Sequence, residues 1–152
     1  MIDCTFSLNN RPMSVFKCGA ASVPAFSGLG DRANRLEFAC MAGVGPIPPG
    51  TYYIFDRQSG GTLGWVRDIF SGRSEWFALY AVDGKIDDET LCEEIKRGNF
   101  RLHPKGPLGI SEGCITIENR NDFQRIRSIL KNATPQTVPG TDLQAYGKVV
   151  VS

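Results

Sequence analysis

Short apolar runs separated by glycine- and proline-rich turns dominate this sequence. The longest runs, such as residues 76–82, have the length of a β-strand and are too short for a membrane-spanning helix. The 152 residues include 17 Gly and 9 Pro, which indicates numerous turns. The sequence therefore predicts one mainly β (α+β) domain over residues 1–152.

Local patterns assign several strands. Residues 4–8 and 13–18 flank a polar turn and predict a hairpin. The aromatic and β-branched run 51–55 predicts a strand, as do residues 76–82 and 146–151. The second of these three is expected to be buried on both faces.

Two short helices are also predicted. The first begins at Asp87 or Asp88 and runs to Lys96, with its apolar residues on one face: Leu91, Cys92 and Ile95. The second covers residues 121–131 and has apolar residues at helical spacing: Phe123, Ile126 and Leu130.

Charge and histidine content exclude several classes of function. The 17 Lys and Arg residues nearly balance 16 Asp and Glu, so the formal net charge is +1. That balance argues against a nucleic-acid-binding protein and against a polybasic membrane segment. A single His and the absence of a C-x-x-C pair argue against a zinc site, and no metal or cofactor is expected. The N-terminus resembles no secretory signal, so a soluble, cytoplasmically made chain is expected.

The five cysteines are scattered along the chain: Cys4, Cys18, Cys40, Cys92 and Cys114. An odd number leaves at least one thiol outside any intramolecular disulfide scheme. In the predicted hairpin Cys4 and Cys18 lie opposite each other. This arrangement fits a disulfide and equally fits two half-buried thiols.

The chemistry is expected near two strand-like stretches joined by a glycine-rich connection. Side chains on a strand alternate between faces, and the apolar ones here are expected to face the core: Phe100, Leu102, Ile115 and Ile117. Arg101 and His103 then share the opposite face of the first strand, and Cys114 and Thr116 that of the second. If the strands are neighbours, the only His and one Cys project from the same face. This is the geometry of a Cys–His nucleophilic pair.

Each residue type has a chemical role in such a site. A thiol has a pKa of about 8.5, and a neighbouring imidazole such as His103 can take its proton to leave a thiolate. Gly113 lets main-chain N–H groups form an oxyanion hole, and Ser111 can hold the loop. Arg101 can bind a substrate carboxylate as a fork.

A purely structural interpretation stays open for each of these residues. His103 is then a hydrogen-bonding residue of the fold, and Cys114 a small buried hydrophobe. Ser111 is then a turn former and Arg101 a solvated charge on a strand.

The ordered motifs resemble a known enzyme family. His103 followed by Ser111-x-Gly113-Cys114 is similar to the signature of L,D-transpeptidases, cysteine enzymes of peptidoglycan metabolism with a β-rich YkuD-like fold. More specifically, the chain resembles the L,D-transpeptidase-like effectors of bacterial type VI secretion systems over roughly residues 5–130. The stretches that carry this resemblance are 24–28 (PAFSG), 45–52 (GPIPPGTY), 56–61 (DRQSGG), 76–80 (WFALY) and 97–104 (RGNFRLHP).

The resemblance implies an antibacterial toxin that acts on peptidoglycan tetrapeptide stems. Cys114 is implied as the nucleophile that attacks the carbonyl between meso-diaminopimelate and the terminal D-alanine, with His103 as the base and Gly113 in the oxyanion turn. Water then gives an L,D-carboxypeptidase, and a D-amino acid gives L,D-transpeptidase exchange. In an oxidising periplasm the other four cysteines would pair and leave Cys114 as a thiol.

The resemblance also implies a cellular route and partners. Type VI secretion components or a chaperone would load the chain from the cytoplasm without a signal peptide. The chain would then act in the periplasm of the target cell. The producer would need a cognate immunity protein that covers the cleft, and the effector itself is expected to be a monomer.

The chain departs from the housekeeping L,D-transpeptidases at several positions. Glu112 stands where His is usual, Pro104 follows His103, and the interval from His to Cys is shorter. Thr116 occupies the position of a substrate-binding Arg, and Arg101 is a candidate to replace that Arg. These departures favour trimming or exchange over crosslinking.

Two other functions are compatible with the sequence. A papain-like endopeptidase would cut peptide crossbridges, although such enzymes usually place Cys before His, opposite to the order here. A non-catalytic wall-binding module would use Cys114 and His103 for packing alone.

Overall fold

A computed structural model describes residues 1–57, 75–106 and 113–152. These residues form twelve strands, two short 3-10 turns (Gly30–Arg32 and Leu36–Phe38) and one α-helix, α1 (Arg120–Asn132). The strands are β1 (Ile2–Phe6), β2 (Ser14–Cys18), β3 (Ala21–Phe26), β4 (Gly50–Asp56), β5 (Phe77–Ala81), β6 (Glu89–Cys92), β7 (Ile95–Gly98), β8 (Arg101–Pro104), β9 (Ile115–Ile117), β10 (Gln136–Thr137), β11 (Gln144–Ala145) and β12 (Gly147–Val151).

Eight of the strands close into a barrel in the order β1-β12-β4-β5-β8-β9-β3-β2. Two of its neighbouring pairs, β1–β12 and β8–β9, are parallel, and the other six are antiparallel. The pairs β6–β7 and β10–β11 form separate two-stranded sheets. The predictions of a mainly β domain, of the first hairpin and of the strands near residues 51–55, 76–82 and 146–151 are confirmed. Every residue of β5 is buried, as predicted.

The main core unites one face of the barrel strands with α1. Its fully buried members include Phe6, Phe16, Ile54, Leu79, Leu102 and Ile115 from the strands, and Phe123, Ile126 and Leu130 from the helix. Burying one such side chain contributes about 1.5–3 kcal/mol, so this apolar face stabilises the helix more than local propensity does. The predicted second helix is confirmed, and so is the inward orientation of the strand residues around the candidate site. Among the described residues no helix is long and apolar enough to span a membrane.

The first predicted helix is wrong, because residues 89–98 form the β6–β7 hairpin. Glu93 and Glu94 occupy the turn with φ of 49° and 70°, which a right-handed helix does not allow. The apolar residues that suggested a helical face do not enter the core, since Leu91 is 69% and Ile95 is 44% exposed. The described residues therefore contain one α-helix where the sequence predicted two.

A disulfide between Cys40 and Cys92 ties the β6–β7 hairpin to a distant loop. It joins the loop after the second 3-10 turn to the end of β6, across 52 residues of sequence. Cys4 and Cys18 pair in register on β1 and β2, as the hairpin predicted, but both are buried thiols. Only one of the two disulfides implied by the resemblance is therefore present.

We expect reduction of the Cys40–Cys92 disulfide to lower the free energy of unfolding by about 2–4 kcal/mol, because the open chain regains loop entropy. Cys92→Ser should produce the same loss. Urea denaturation with and without dithiothreitol measures the effect. Dithiothreitol should have no effect on Cys92→Ser, and an unchanged midpoint for the reduced wild type would contradict the prediction.

Candidate active site

The parallel pairing of β8 with β9 sets the geometry of the site. In this register Leu102 pairs with Ile115 and His103 pairs with Thr116. Cys114 directly precedes β9, two residues before the partner of His103. Strands β8 and β9 are therefore neighbours, which is the condition that a Cys114–His103 pair requires.

Contacts with Trp76, Pro104 and Thr116 help to hold His103, which is only 6% exposed. Its ring stacks on Trp76 with centroids 4.2 Å apart and an interplanar angle of 19°. Its Nδ1 lies 2.8 Å from the carbonyl oxygen of Pro104, which can only accept, so Nδ1 carries a proton and Nε2 is the basic nitrogen. The Thr116 hydroxyl oxygen lies 3.4 Å from Nε2. Trp76 covers the ring, so the strand face on which the sequence placed His103 is not open to solvent at this residue.

Cys114 is partly exposed and carries a reduced thiol. Its Sγ lies 3.8 Å from the carbonyl oxygen of Asn99. The thiol lines a cleft of about 350 Å³, together with Ala42, Gly43 and residues 96–99. Another cleft of about 300 Å³, beside Arg32 and Phe38, is lined by no cysteine or histidine among the described residues. The Cys114 cleft is therefore the candidate active site.

Two arginines supply positive charge near this thiol. Burial lowers the pKa of the Arg97 guanidinium, while electrostatic interactions with Tyr52 and Cys114 act in the opposite direction. Burial alone would lower the pKa of Arg101. The hydrogen bond and the charge of Asp88 outweigh burial and raise this pKa, and Tyr80 and Cys114 add smaller contributions in the same direction. A thiolate at Cys114 would therefore have favourable electrostatic interactions with both guanidinium groups.

Arg97 is the site residue that sequence reasoning missed. Arg97 lies just beyond the helix that was wrongly predicted to end at Lys96, and in the hairpin its side chain is buried, with 4% exposed. Its guanidinium donates hydrogen bonds to the carbonyls of Ala39, of Pro46 (3.1 Å) and of Gly45 (3.2 Å). The one sequence feature that pointed to Arg97 is its place at the start of stretch 97–104, which carries part of the family resemblance.

Gly113 is required by both conformation and space. Its φ is +100°, a region that favours glycine, and a Cβ there would lie 2.5 Å from Nη2 of Arg97 and 3.2 Å from Cε1 of Phe100. Arg97 thus occupies the space in which a side chain at position 113 would lie. A side chain at position 113 would therefore require the guanidinium or the turn to move.

The remaining predicted residues lie in different surroundings. Arg101 donates two hydrogen bonds to the carboxylate of Asp88, from Nη1 to Oδ1 (2.8 Å) and from Nη2 to Oδ2 (2.7 Å). Its role in substrate binding stays a prediction. Thr116 is fully buried against His103, and its substrate-binding role also stays a prediction. Ser111 lies outside the described residues.

Cys114 differs in environment from the two barrel thiols. Hydrogen bonding to Cys18 and burial raise the pKa of Cys4, which therefore stays a thiol. Both barrel cysteines are also shielded from solvent, with exposed fractions of 2% for Cys4 and 0% for Cys18. Of the three reduced cysteines, Cys114 alone combines partial exposure, a cleft and nearby cationic groups.

The closed barrel and its thiol-lined cleft define a β-barrel domain with a candidate cysteine-nucleophile site. In residues 1–57, 75–106 and 113–152, no group of three or more His, Cys, Asp or Glu side chains is arranged to hold a metal ion. Residues 21–141 match the model of the Tlde1 domain, and the chain belongs to the Tlde1 domain family. No match was found among curated proteins or among solved structures.

We expect Gly113→Ala to destabilise the protein by about 1–3 kcal/mol, because a side chain at this φ is strained and contacts Arg97. Gly106→Ala is the matched control, since a Cβ there meets nothing within 4 Å among its surroundings. Urea denaturation of both variants measures the difference. Equal stability of the two variants would show that position 113 tolerates a side chain.

Proposed function

We propose that this chain is a type VI secretion effector that removes or exchanges the terminal D-alanine of peptidoglycan tetrapeptide stems through a thioester on Cys114. Membership of the Tlde1 domain family supports an effector role. The observation that carries the chemistry is the partly exposed Cys114 thiol, which shares a cleft with a buried guanidinium and directly precedes the strand paired with that of His103. By resemblance, the barrel is proposed to be a YkuD-like L,D-transpeptidase domain.

In the first proposed step His103 takes the thiol proton at Nε2. The Cys114 thiolate attacks the carbonyl carbon between the L-centre of meso-diaminopimelate and D-alanine. Main-chain N–H groups beside Gly113 stabilise the oxyanion of the tetrahedral intermediate. The C–N bond then breaks, the imidazolium donates its proton to the amine, and D-alanine leaves.

In the second step an acceptor resolves the thioester. His103 takes a proton from water or from the amine of a free D-amino acid, and the acceptor attacks the thioester carbonyl. The C–S bond breaks and the thiolate is restored. Water gives the tripeptide, and the D-amino acid gives a tetrapeptide with a new terminal residue.

The cellular setting belongs to the same proposal. The effector is delivered by the type VI system into the periplasm of a rival cell, and a cognate immunity protein protects the producer. The Cys40–Cys92 disulfide supports this setting, because disulfides persist in oxidising compartments.

The direct test is to incubate the purified protein with disaccharide-tetrapeptide, with and without a free D-amino acid, and to weigh the products. We expect loss of D-alanine or a swapped terminal residue. Cys114→Ala should lower the rate by more than about 10³-fold, since it removes the nucleophile. His103→Gln should also lower it strongly, and Cys4→Ala, which replaces a buried thiol, should keep the wild-type rate.

Other outcomes of this assay identify the competing functions. Separation of crosslinked dimeric muropeptides, with the tetrapeptide left intact, would identify an endopeptidase. If both substrates stay intact under reducing and oxidising conditions, the proposed activity is wrong and a wall-binding module becomes the better interpretation.

In cells we expect the wild-type chain to arrest growth when a signal peptide directs it to the periplasm. Cys114→Ala directed to the same compartment should be harmless, because toxicity depends on the thioester. Plating efficiency measures both, with immunoblots as the control for equal amounts of protein. Equal toxicity of the two chains would favour the binding-module function.

A further inference from the structure

We propose that Arg97 is the positioning residue of this site, holding the Gly113–Cys114 turn in place and favouring the thiolate form of Cys114. The functional consequence of this inference rests on the proposed thioester chemistry. Its physical basis can be measured on the thiol alone.

The position of Arg97 is determined by contacts with a loop that is distant in sequence and with the neighbouring Phe100. The side chain comes from β7, and its hydrogen bonds go to carbonyls of residues 39–46, more than 50 positions earlier. The Cys40–Cys92 disulfide joins the same loop to the same hairpin. The guanidinium carbon also lies 5.3 Å from the ring centroid of Phe100, just before β8. A side chain held in this way cannot move away from the Cys114 turn without breaking several contacts.

The guanidinium is in close contact with the turn that carries the thiol. A Cβ on Gly113 would lie 2.5 Å from its Nη2, so the backbone of the turn packs directly on Arg97. Arg97 and Cys114 also line the same cleft. The position of the guanidinium therefore sets how far the turn can approach β7.

Among residues 1–57, 75–106 and 113–152, no carboxylate pairs with Arg97, and its hydrogen bonds go to carbonyl oxygens. A buried cation is costly unless an anion or several dipoles compensate it. The carbonyl dipoles supply part of that compensation. Cys114 is close enough to interact electrostatically with Arg97, so a thiolate at this position would supply a compensating anion. The same attraction favours the thiolate over the thiol. Arg101 differs here, because Asp88 already neutralises it.

The test is the rate at which iodoacetamide alkylates Cys114, followed by mass spectrometry from pH 5 to 10. The wild type in native buffer is compared with the same chain in urea, where Arg97 no longer faces the thiol. We expect the midpoint of the native profile to lie about one pH unit or more below that of the unfolded chain. A native midpoint equal to or above the unfolded one would overturn the proposal.

Variants separate the charge from the packing. Arg97→Met keeps the length without the charge, and at pH 7 we expect about tenfold slower alkylation. Arg97→Lys keeps the charge but loses the planar guanidinium, and it should restore part of the alkylation rate. Arg35→Met, which removes an exposed arginine paired with Glu37, should behave as wild type. A folded Arg97→Met with the wild-type profile would refute the charge effect.

The outcomes also separate this proposal from the proposed function. If the alkylation profile shifts as expected but the wild type leaves tetrapeptide intact, the role of Arg97 stands and the proposed activity fails. If D-alanine is released while Arg97→Met keeps both the wild-type profile and the wild-type turnover, the activity stands and the role of Arg97 fails. Even if both Arg97 variants fail to fold, the native and urea profiles of the wild type can overturn the proposal, because a native midpoint at or above the unfolded one excludes an environment that favours the thiolate.

Discussion

The parallel pairing of β8 with β9 is the constraint on which the site depends. Closure of the barrel brings these strands side by side, with His103 opposite Thr116 and Cys114 at the entrance to β9. The core residues of both strands, Leu102, Ile115 and Ile117, fix this register. A slip by one residue would turn their apolar side chains out of the core, so packing energy indirectly determines the spacing of the polar groups.

Around this pairing, the environment selects one thiol out of five cysteines. Two cysteines form the disulfide, and two are buried as thiols within the barrel. Cys114 lies in a cleft whose walls come from the disulfide-linked loop and hairpin. The disulfide thus has two effects, since it stabilises the fold and holds in place the loop whose carbonyls bind Arg97.

The sequence predicted elements well where the local pattern and the burial agree. The α1 helix and strands β4, β5 and β12 have apolar residues whose spacing matches the faces they bury. The pattern failed between residues 87 and 96, where helical spacing of Leu91, Cys92 and Ile95 suggested a buried face. The β6–β7 ladder, the disulfide and the buried Arg97 together hold this segment as a hairpin and leave Leu91 exposed. No local window contains those long-range partners.

The sequence by itself determined the β-rich class, the inward-facing residues of β8 and β9, and the candidates Cys114 and His103. These follow from side-chain alternation and residue chemistry, which are local properties. Only the tertiary structure decided which cysteines pair, that Trp76 covers His103, and that Arg97 packs on the Cys114 turn. Each of these depends on contacts between residues far apart in the chain, because burial and charge at one position are set by whichever segments the fold brings against it.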